Sequence, residues 1–240
     1  MRPLSGILVG ICLTGYVSAA TITYDFNDGT TDGLVQTNTV GFGSSVSGGV
    51  LNVTEASGVG NGSILLSTPF NVSGDFTATV VGTRNSNFFG DALGIGLGDN
   101  AQYADVFFSG TGQVRDNIYF PSHTFNGIND PSSTVTFEIN RTGNTVTLSY
   151  DNGSGFQTVA TGTDPGLAAA APISILFDQE AGNISAHSGI FDNFTITSDS
   201  IAVTPLPPAE WGGLVLLAGL GFATAVGHKL TASHDESSSH

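Results

Sequence analysis

Apolar and polar residues alternate one for one along most of residues 21–203, and this period of two limits the folds open to the chain. Clear examples are the segments 22–27, 76–80 and 134–139. Since successive side chains of a β-strand point to opposite faces, each segment offers one face to a core and the other to water. Many short strands of this kind predict an all-β protein, an antiparallel jelly-roll β-sandwich with two sheets packed on their apolar faces.

Turn residues separate the alternating segments, and one hairpin is especially clear. Residues 134–141 and 145–150 flank Thr142-Gly143-Asn144, a short polar sequence with a glycine of the kind that joins antiparallel strands. Val146, Leu148 and Tyr150 are expected to share one face of the second strand. No segment of helical period and useful length precedes residue 204.

Residues 1–20 have the features of a secretory signal peptide. Arg2 precedes an apolar run from Ile7 to Val17, and the small residues Ala19 and Ala20 follow where cleavage is expected. The run is too short to span a membrane. The single cysteine of the chain, Cys12, lies inside this segment, so the mature protein is expected to have neither disulfides nor thiolate metal sites.

The C-terminal residues 204–230 form a second segment of distinct composition, followed by a polar tail, 231–240. A proline-rich entry leads into residues 211–227, which carry no charge and would reach about 26 Å as a helix. That length is close to the hydrocarbon thickness of a bilayer, and Trp211 stands where an interfacial aromatic belongs. We therefore predict a transmembrane helix over about 211–227. The alternative is a buried C-terminal helix of the globular domain.

This segment resembles the C-terminal sorting signal of the PEP-CTERM superfamily, in its VPLPA-type variant. The motif residues here are Pro205, Leu206, Pro207, Pro208, Ala209 and Trp211. The resemblance implies an exosortase-type membrane peptidase as partner, and a membrane-anchored precursor that is later released to the cell surface or extracellular matrix of a Gram-negative bacterium. Thr204 and Pro208 depart from the usual motif, and the usual arginine cluster is reduced to His228-Lys229.

The predicted domain is strongly acidic. Residues 21–203 contain 17 acidic residues against Arg84, Arg115 and Arg141, a net charge of −14. A surface of this charge repels nucleic acid and anionic polymers, so neither is an expected partner. It is compatible with neutral extracellular polysaccharides and with cations such as calcium.

Four stretches of the domain together resemble the concanavalin A-like (laminin G-like) jelly rolls. They are Tyr24–Gly29, Ser133–Tyr150, Asp151–Phe156 and Ile190–Ile196. Galactose-binding-like jelly rolls share the opening and closing patterns and are the alternative fold. Carbohydrate binding is common among such domains, so the resemblance implies glycan association as a function.

One residue of the closing strand breaks the apolar pattern. Asp192 has the same parity as Ile190, Phe194 and Ile196, so a regular strand would direct a carboxylate into the core. Burial of a lone charge is unfavourable, which predicts a hydrogen bond, a metal or a bulge at this position. If the first and last strands lie side by side, Asp192 approaches Asp25 and Asp28, and the three could form a structural calcium site. The alternative, which we favour, is turn hydrogen bonding without metal, and no other cofactor is expected.

Two polar loops carry residues suited to sugar stacking. Phe88 and Phe89 are adjacent aromatics followed by Asp91, and His123 lies in a second loop-like stretch. Aromatic faces beside amides and carboxylates are typical of sugar sites. The alternative places the phenylalanine rings in the core.

Catalysis of glycan hydrolysis would need a pair of carboxylates. Asp178 and Glu180 are the pair at strand spacing, with both side chains on one face. The Glu-x-Asp-x-x-Glu pattern of jelly-roll glucanases is absent. We therefore expect a non-enzymatic surface or exopolysaccharide-matrix protein, structural or glycan-associating. The alternatives are a secreted polysaccharide-degrading enzyme and a permanently membrane-anchored envelope protein.

The sorting hypothesis predicts the mass of the mature protein. Protein recovered from the surface and medium of its native host should end between Val203 and Trp211, because the peptidase removes the anchor. Intact-mass spectrometry checks this. A mass that runs through His240 would contradict sorting and indicate a tail-anchored protein.

Overall fold

The computed structural model describes residues 19–58, 62–85, 91–98, 103–109, 112–120, 122–124, 126–163, 166, 169–179 and 186–202. The chain divides into two units, 1–202 and 203–240, and all of these residues belong to the first. Within them the chain forms sixteen β-strands and no α-helix. The strands are β1 (Ala20–Tyr24), β2 (Val35–Asn38), β3 (Phe42–Ser47), β4 (Val50–Glu55), β5 (Gly62–Ser67), β6 (Asn71–Arg84), β7 (Asp91–Gly98), β8 (Tyr103–Ser109), β9 (Gln113–Phe120), β10 (Ser122–Thr124), β11 (Gly127–Asn129), β12 (Thr134–Thr142), β13 (Thr145–Asp151), β14 (Gln157–Thr163), β15 (Ile173–Gln179) and β16 (His187–Ala202).

The strands form two antiparallel sheets, which confirms the predicted jelly-roll β-sandwich. Sheet A has the order β14-β13-β12-β6-β16-β4-β3, with β1 also paired to β16. Sheet B has the order β10-β9-β8-β7-β15-β5-β2, with β11 also paired to β9. Strands distant in sequence are neighbours in both sheets, so most of the pairing is non-local.

The alternation of the sequence accounts for the core. Phe76, Ala78 and Val80 of β6 are buried from sheet A, and Ile175 and Phe177 of β15 are buried from sheet B. Such apolar side chains from both sheets form one cluster between them, where burial of apolar surface is the main stabilising contribution.

The hairpin of β12 and β13 forms as expected. Thr142 pairs with Thr145, so the connection is two residues, and Gly143 has a positive φ of 58°. Glycine adopts that conformation without steric cost. Val146, Leu148 and Tyr150 are all buried, as their shared parity predicted.

The closing strand β16 contains a bulge at Asp192. Two residues separate Asp192 and Thr195 on β16, whereas one residue separates their partners Val81 and Thr79 on β6. This β-bulge, with Asn193 at a φ of 49°, reverses the parity of the strand. Phe191 is therefore a core residue, while Ile190 and Asp192 point away from the core. Of the hydrogen bond, metal or bulge expected at Asp192, the structure shows the bulge, which keeps the carboxylate out of the apolar interior.

The expected adjacency of the first and last strands is confirmed. β1 pairs with β16 from Ala20 opposite Ser198 to Tyr24 opposite Phe194. The rings of Tyr24 and Phe194 stack with their centroids 5.2 Å apart. Side-chain contact therefore joins the two ends of the described chain, in addition to the backbone ladder.

Two arginines occupy inward-facing positions at opposite ends of the β6–β12 pair. Arg141 is 1% exposed, lies 4.6 Å from the ring centre of Phe76, and donates hydrogen bonds to the backbone oxygens of Val72, Gly74 and Ala169. Arg84 lies 4.6 Å from the ring centre of Phe108. Burial lowers the pKa of both guanidinium groups. These two cations therefore contribute to the interior of the sandwich and not to its surface charge.

The signal peptide at 1–20 lies almost wholly outside the described residues, and the predicted transmembrane helix at 211–227 lies wholly outside them. Among the residues that the structure does describe, no helix has the length and apolar character needed to cross a bilayer.

Replacement of Arg141 tests its structural contribution. Arg141→Ala should lower the free energy of unfolding by about 2–4 kcal/mol, because the carbonyls of Gly74 and Ala169 lose their side-chain donor and the Phe76 ring loses its cation. Urea unfolding monitored by circular dichroism measures this. Thr142→Ala, one position away on the exposed face, is the matched control and should change stability by no more than about 0.5 kcal/mol. Equal effects of the two replacements would show that Arg141 is not a structural residue.

Candidate functional site

The outward-facing residues of sheet B line an open groove. While one parity of each strand enters the core, the other faces outward across β2, β5, β15, β7, β8 and β9. The groove has a volume of about 580 Å³. Its lining residues are Thr37, Ser63, Leu65, Ser67, Gly96, Leu97, Gly98, Tyr103, Asp105, Asn117, Pro172, Ser174, Leu176 and Asp178.

The middle of the groove is formed by alternate glycines of β7. Gly94, Gly96 and Gly98 face outward, while Ile95 and Leu97 between them are buried in the core. A Cβ atom at Gly94 would lie 2.6 Å from the Cα of Phe107, so the neighbouring strand approaches too closely for a side chain. A Cβ atom at Gly96 would lie 3.3 Å from Cδ2 of Leu176 and 3.4 Å from Cβ of Asp105. Leu176 and Asp105 therefore lie on either side of a strand that contributes no side chain of its own.

Hydrogen-bond acceptors line the β8–β9 side of the groove. Asp105 on β8 is directly opposite Asn117 on β9. The Nδ2 atom of Asn117 donates to the hydroxyl oxygen of Tyr103 at 3.1 Å. Within the described part of the chain, Oδ1 of Asp105 and Oδ1 of Asn117 are buried and have no hydrogen-bond partner. Both residues line the groove, on strands that pair directly.

The Asp105 carboxyl has an unusual proton affinity. Its pKa is raised well above the ordinary value of 3.8, mainly because burial disfavours the charged form. The negative charges of Asp116 and Asp178 raise it further. Asp178 lines the same groove from β15, where it is opposite Ala92 of β7. The described lining residues include no lysine or arginine.

The predicted site residues are only partly brought together. Asp178 lies in the groove, as described. Phe88, Phe89 and Glu180 lie outside the described residues. Asp91 begins β7 opposite Gln179, and His123 lies in β10 opposite Tyr119, so both belong to sheet B, and the structure describes their backbone alone. Sugar stacking by Phe88 and Phe89 stays a prediction.

The carboxylates considered for calcium make local turn contacts. Oδ1 of Asp25 accepts the backbone N–H of Asn27 at 3.1 Å, and Oδ1 of Asp28 accepts the N–H and the hydroxyl of Thr30 at 2.8 and 2.7 Å. These hydrogen bonds stabilise the charged forms and lower the pKa of both groups.

Across the described residues, no three His, Cys, Asp or Glu side chains form a group that could hold a metal ion. Asp25, Asp28 and Asp192 are all among the residues described, and calcium binding by them stays a prediction.

Sequence reasoning missed Asp105, Asn117 and Tyr103 as site residues. The sequence signal that could have found them is the alternation Gly94-Ile95-Gly96-Leu97-Gly98. Apolar residues on one face and glycines on the other indicate a strand whose outer face is left open. The partners across that face depend on strand pairing, which the sequence pattern does not supply.

No protein-family model and no curated protein sequence matches the chain. Its fold is similar to that of several solved structures at low sequence identity. A sialidase superposes with a TM-score of 0.56 at 12% identity over 76% of this chain, which spans 18% of the sialidase. An endo-acting O-glycanase of the human gut microbiota superposes with a TM-score of 0.58 at 10% identity. The match covers 73% of this chain and 97% of the glycanase chain. The CBM2 module of the Lactobacillus casei BL23 phage J-1 evolved Dit superposes with a TM-score of 0.54 at 12% identity. The match covers 78% of this chain and 99% of that module.

Likenesses at these identities show the fold alone. They support the concanavalin A-like jelly roll that the sequence resembles. The structural neighbours include glycoside hydrolase-like and carbohydrate-module-like jelly rolls.

The raised pKa of Asp105 predicts a pH-dependent loss of stability. Above about pH 4 the unfolded carboxyl has lost its proton while the folded one retains it, so stability falls as the pH rises through the folded pKa. Asp105→Asn removes this titration. The difference in unfolding free energy between the variant and the wild type should therefore grow by up to about 1.4 kcal/mol per pH unit within that window. Urea unfolding of both proteins from pH 4.5 to 8 measures it, and parallel curves would show that Asp105 is ionised in the folded state.

Proposed function

We propose that this protein is an exported, glycan-associating module that holds carbohydrate in the groove of sheet B. The observation that carries the proposal is the groove itself, in which apolar, aromatic and acceptor groups converge over glycines. Leu65 and Leu176 supply apolar surface, Tyr103 supplies an aromatic ring, and Asn117 and Asp105 supply acceptors. Such a mixture suits a sugar, whose ring has apolar C–H faces and a hydroxyl edge.

The sugar that fits must be neutral or positively charged. The Asp178 carboxylate disfavours uronic acids, sulfated sugars and phosphates, and the described lining residues include no lysine or arginine. The acidity of the whole domain acts in the same direction at longer range. The glycan-related names among the structural neighbours support a glycan as the class of ligand. The charge expected of that glycan is argued from the lining residues of the groove.

Export and sorting complete the proposal and rest on the sequence. The signal peptide would direct the chain across the inner membrane, and the C-terminal segment would hold it there until an exosortase-type peptidase removes the anchor. The mature domain would then lie at the cell surface or in the extracellular polysaccharide. Permanent anchoring through residues 211–227 is the alternative.

A hydrolytic function is the second candidate, because Asp105 and Asp178 share one groove and differ in environment. A carboxyl that keeps its proton and a second carboxylate are the two groups that glycoside hydrolysis needs. We propose binding without turnover, since the Glu-x-Asp-x-x-Glu sequence of jelly-roll glucanases is absent. Release of reducing ends from a bound oligosaccharide that is lost in Asp178→Asn would establish the enzyme instead.

Binding at the groove is tested by removing its aromatic ring. Tyr103→Ala should weaken binding of a neutral oligosaccharide such as cellotetraose about fivefold, since the loss of an aromatic contact is worth about 1 kcal/mol. Isothermal titration calorimetry on the full-length protein measures the affinity.

Phe156→Ala is the matched control for that experiment. Phe156 is 50% exposed in the loop between β13 and β14, outside the groove lining, so its loss should leave affinity unchanged. If both replacements weaken binding equally, the groove is not the binding site. If neither the wild type nor the variants bind any glycan, the proposed function is wrong.

A further inference from the structure

A row of outward-facing residues crosses the strands of sheet B at the middle of the groove. Its members are paired with one another from strand to strand, in the order Val35 of β2, Ser67 of β5, Ser174 of β15, Gly96 of β7, Asp105 of β8 and Asn117 of β9. We call this set the central row. All of its members except Val35 line the groove. Adjacent strands lie about 4.8 Å apart, so the row extends about 24 Å across the sheet.

Larger side chains bound the central row on both sides. Leu65 and Leu176, paired with each other on β5 and β15, line the groove two residues further along those strands in one direction. Pro172 and Tyr103 line it two residues away in the other direction. Between these walls the row offers short side chains, and the hydroxyls of its two serines pair at 2.7 Å. The groove therefore runs across the strands of sheet B and not along them.

Gly96, in the middle of the row, is a glycine that the strand itself does not require. Gly98 has a φ of 111°, whereas Gly96 does not have a positive φ. The pairing of β7 with β15 and β8 shows no register shift, so no bulge requires glycine here either. The nearest backbone atom to a Cβ at Gly96 would be the oxygen of Ala104, 4.0 Å away, and the closer atoms belong to the side chains of Leu176 and Asp105. A glycine inside a strand often marks a place where a ligand comes close.

Val35 is an exposed apolar side chain at the β2 end of the row. It is 53% exposed. Its neighbour Gln36 faces the other sheet, since the side-chain oxygen of Gln36 accepts a hydrogen bond from the hydroxyl of Ser44 on β3. Val35 therefore faces the same way as Thr37, which lines the groove. Apolar surface thus continues the line of the groove to the edge of the sheet.

From this arrangement we infer that the ligand is an extended oligosaccharide that crosses the strands of sheet B along the central row, passing over Gly96 and reaching Val35. The C–H faces of its sugar rings suit the leucine wall and Val35, and its hydroxyls suit the polar members of the row. A monosaccharide or disaccharide covers only part of this length. The inference rests on the proposed function, deepens it to a ligand class and assigns Gly96 and Val35 as specificity-determining residues.

Three cello-oligosaccharides of different length test the inference. Cellobiose, cellotetraose and cellohexaose contain the same sugar and linkage, so only the number of units changes. Calorimetric titration of the full-length protein should show affinity rising at least about tenfold from cellobiose to cellohexaose, because the longer chain covers more of the row. Equal affinity for the three chains would contradict an extended ligand.

The direction of the chain is tested at the edge of the sheet. Val35→Ser should weaken binding of cellohexaose about threefold and leave that of cellobiose unchanged, because only a chain that crosses the strands reaches β2. Val40→Ser is the matched control: Val40 is 91% exposed in the turn between β2 and β3, outside the groove lining, and its replacement should have no effect. A chain that ran along β7 would be insensitive to both replacements.

The place where the chain crosses β7 is tested by adding one methyl group. Gly96→Ala should weaken binding of cellohexaose at least about fivefold and leave the unfolding midpoint near that of the wild type, since only side-chain atoms need to shift. Gly43→Ala is the control, because a Cβ at Gly43 on β3 of sheet A would lie 3.8 Å from the hydroxyl of Thr54, an ordinary contact. A large fall in the midpoint for Gly96→Ala would show that Gly96 is a structural glycine, contrary to the inference.

The outcomes separate the two levels of the argument. Affinity that does not depend on chain length, or cellohexaose binding that survives both Val35→Ser and Gly96→Ala, overturns the inference and leaves glycan association in place. Failure of the wild type to bind any of the three chains overturns both the inference and the proposed function.

Discussion

The packing of two sheets through alternate side chains is the constraint on which the rest of this structure depends. Once Ile175 and Phe177 of β15 are buried, Ser174, Leu176 and Asp178 must face outward, because a strand reverses side at every residue. A shift of one residue would exchange the two sets. The choice of residues that enter the core therefore also decides which residues line the groove. The apolar interior fixes the register of the strands, and with it the positions of the polar residues in the groove.

The same constraint distributes the charges. Arg84 and Arg141 take inward positions on sheet A and stack on core phenylalanines. Two of the three cations in residues 21–203 are therefore buried, so few positive charges remain at the surface to compensate the acidic residues there. The negative character of the surface thus has two causes: the acidic composition of the domain, and the burial of Arg84 and Arg141 at the ends of the sandwich.

Polar side chains pair across strands on the outer faces of both sheets. On sheet A, threonine hydroxyls pair across strands, as in Thr21 with Thr197 at 3.0 Å and Thr83 with Thr134 at 2.9 Å. On sheet B, the hydroxyls of Ser67 and Ser174 pair in the same way at 2.7 Å. Asp105 and Asn117 are directly opposite one another, and each has a buried oxygen without a partner among the described residues, which is costly and distinguishes this part of the groove from the paired hydroxyls.

The sequence by itself determined the fold class and the β12–β13 hairpin, because a period of two and local turn residues specify which side chains enter a core. It also marked Asp192 as a residue that could not follow a regular strand. Only the tertiary structure decided how that conflict is resolved, through the bulge at Asn193, and which distant strands become neighbours. Asp105 and Asn117 lie on the consecutive strands β8 and β9, whereas Asp178 comes from β15, far away in sequence. Its place in the same groove depends on the pairing of β15 with β7, which no local pattern encodes. For that reason the sequence identified the sandwich and the structure identified the groove.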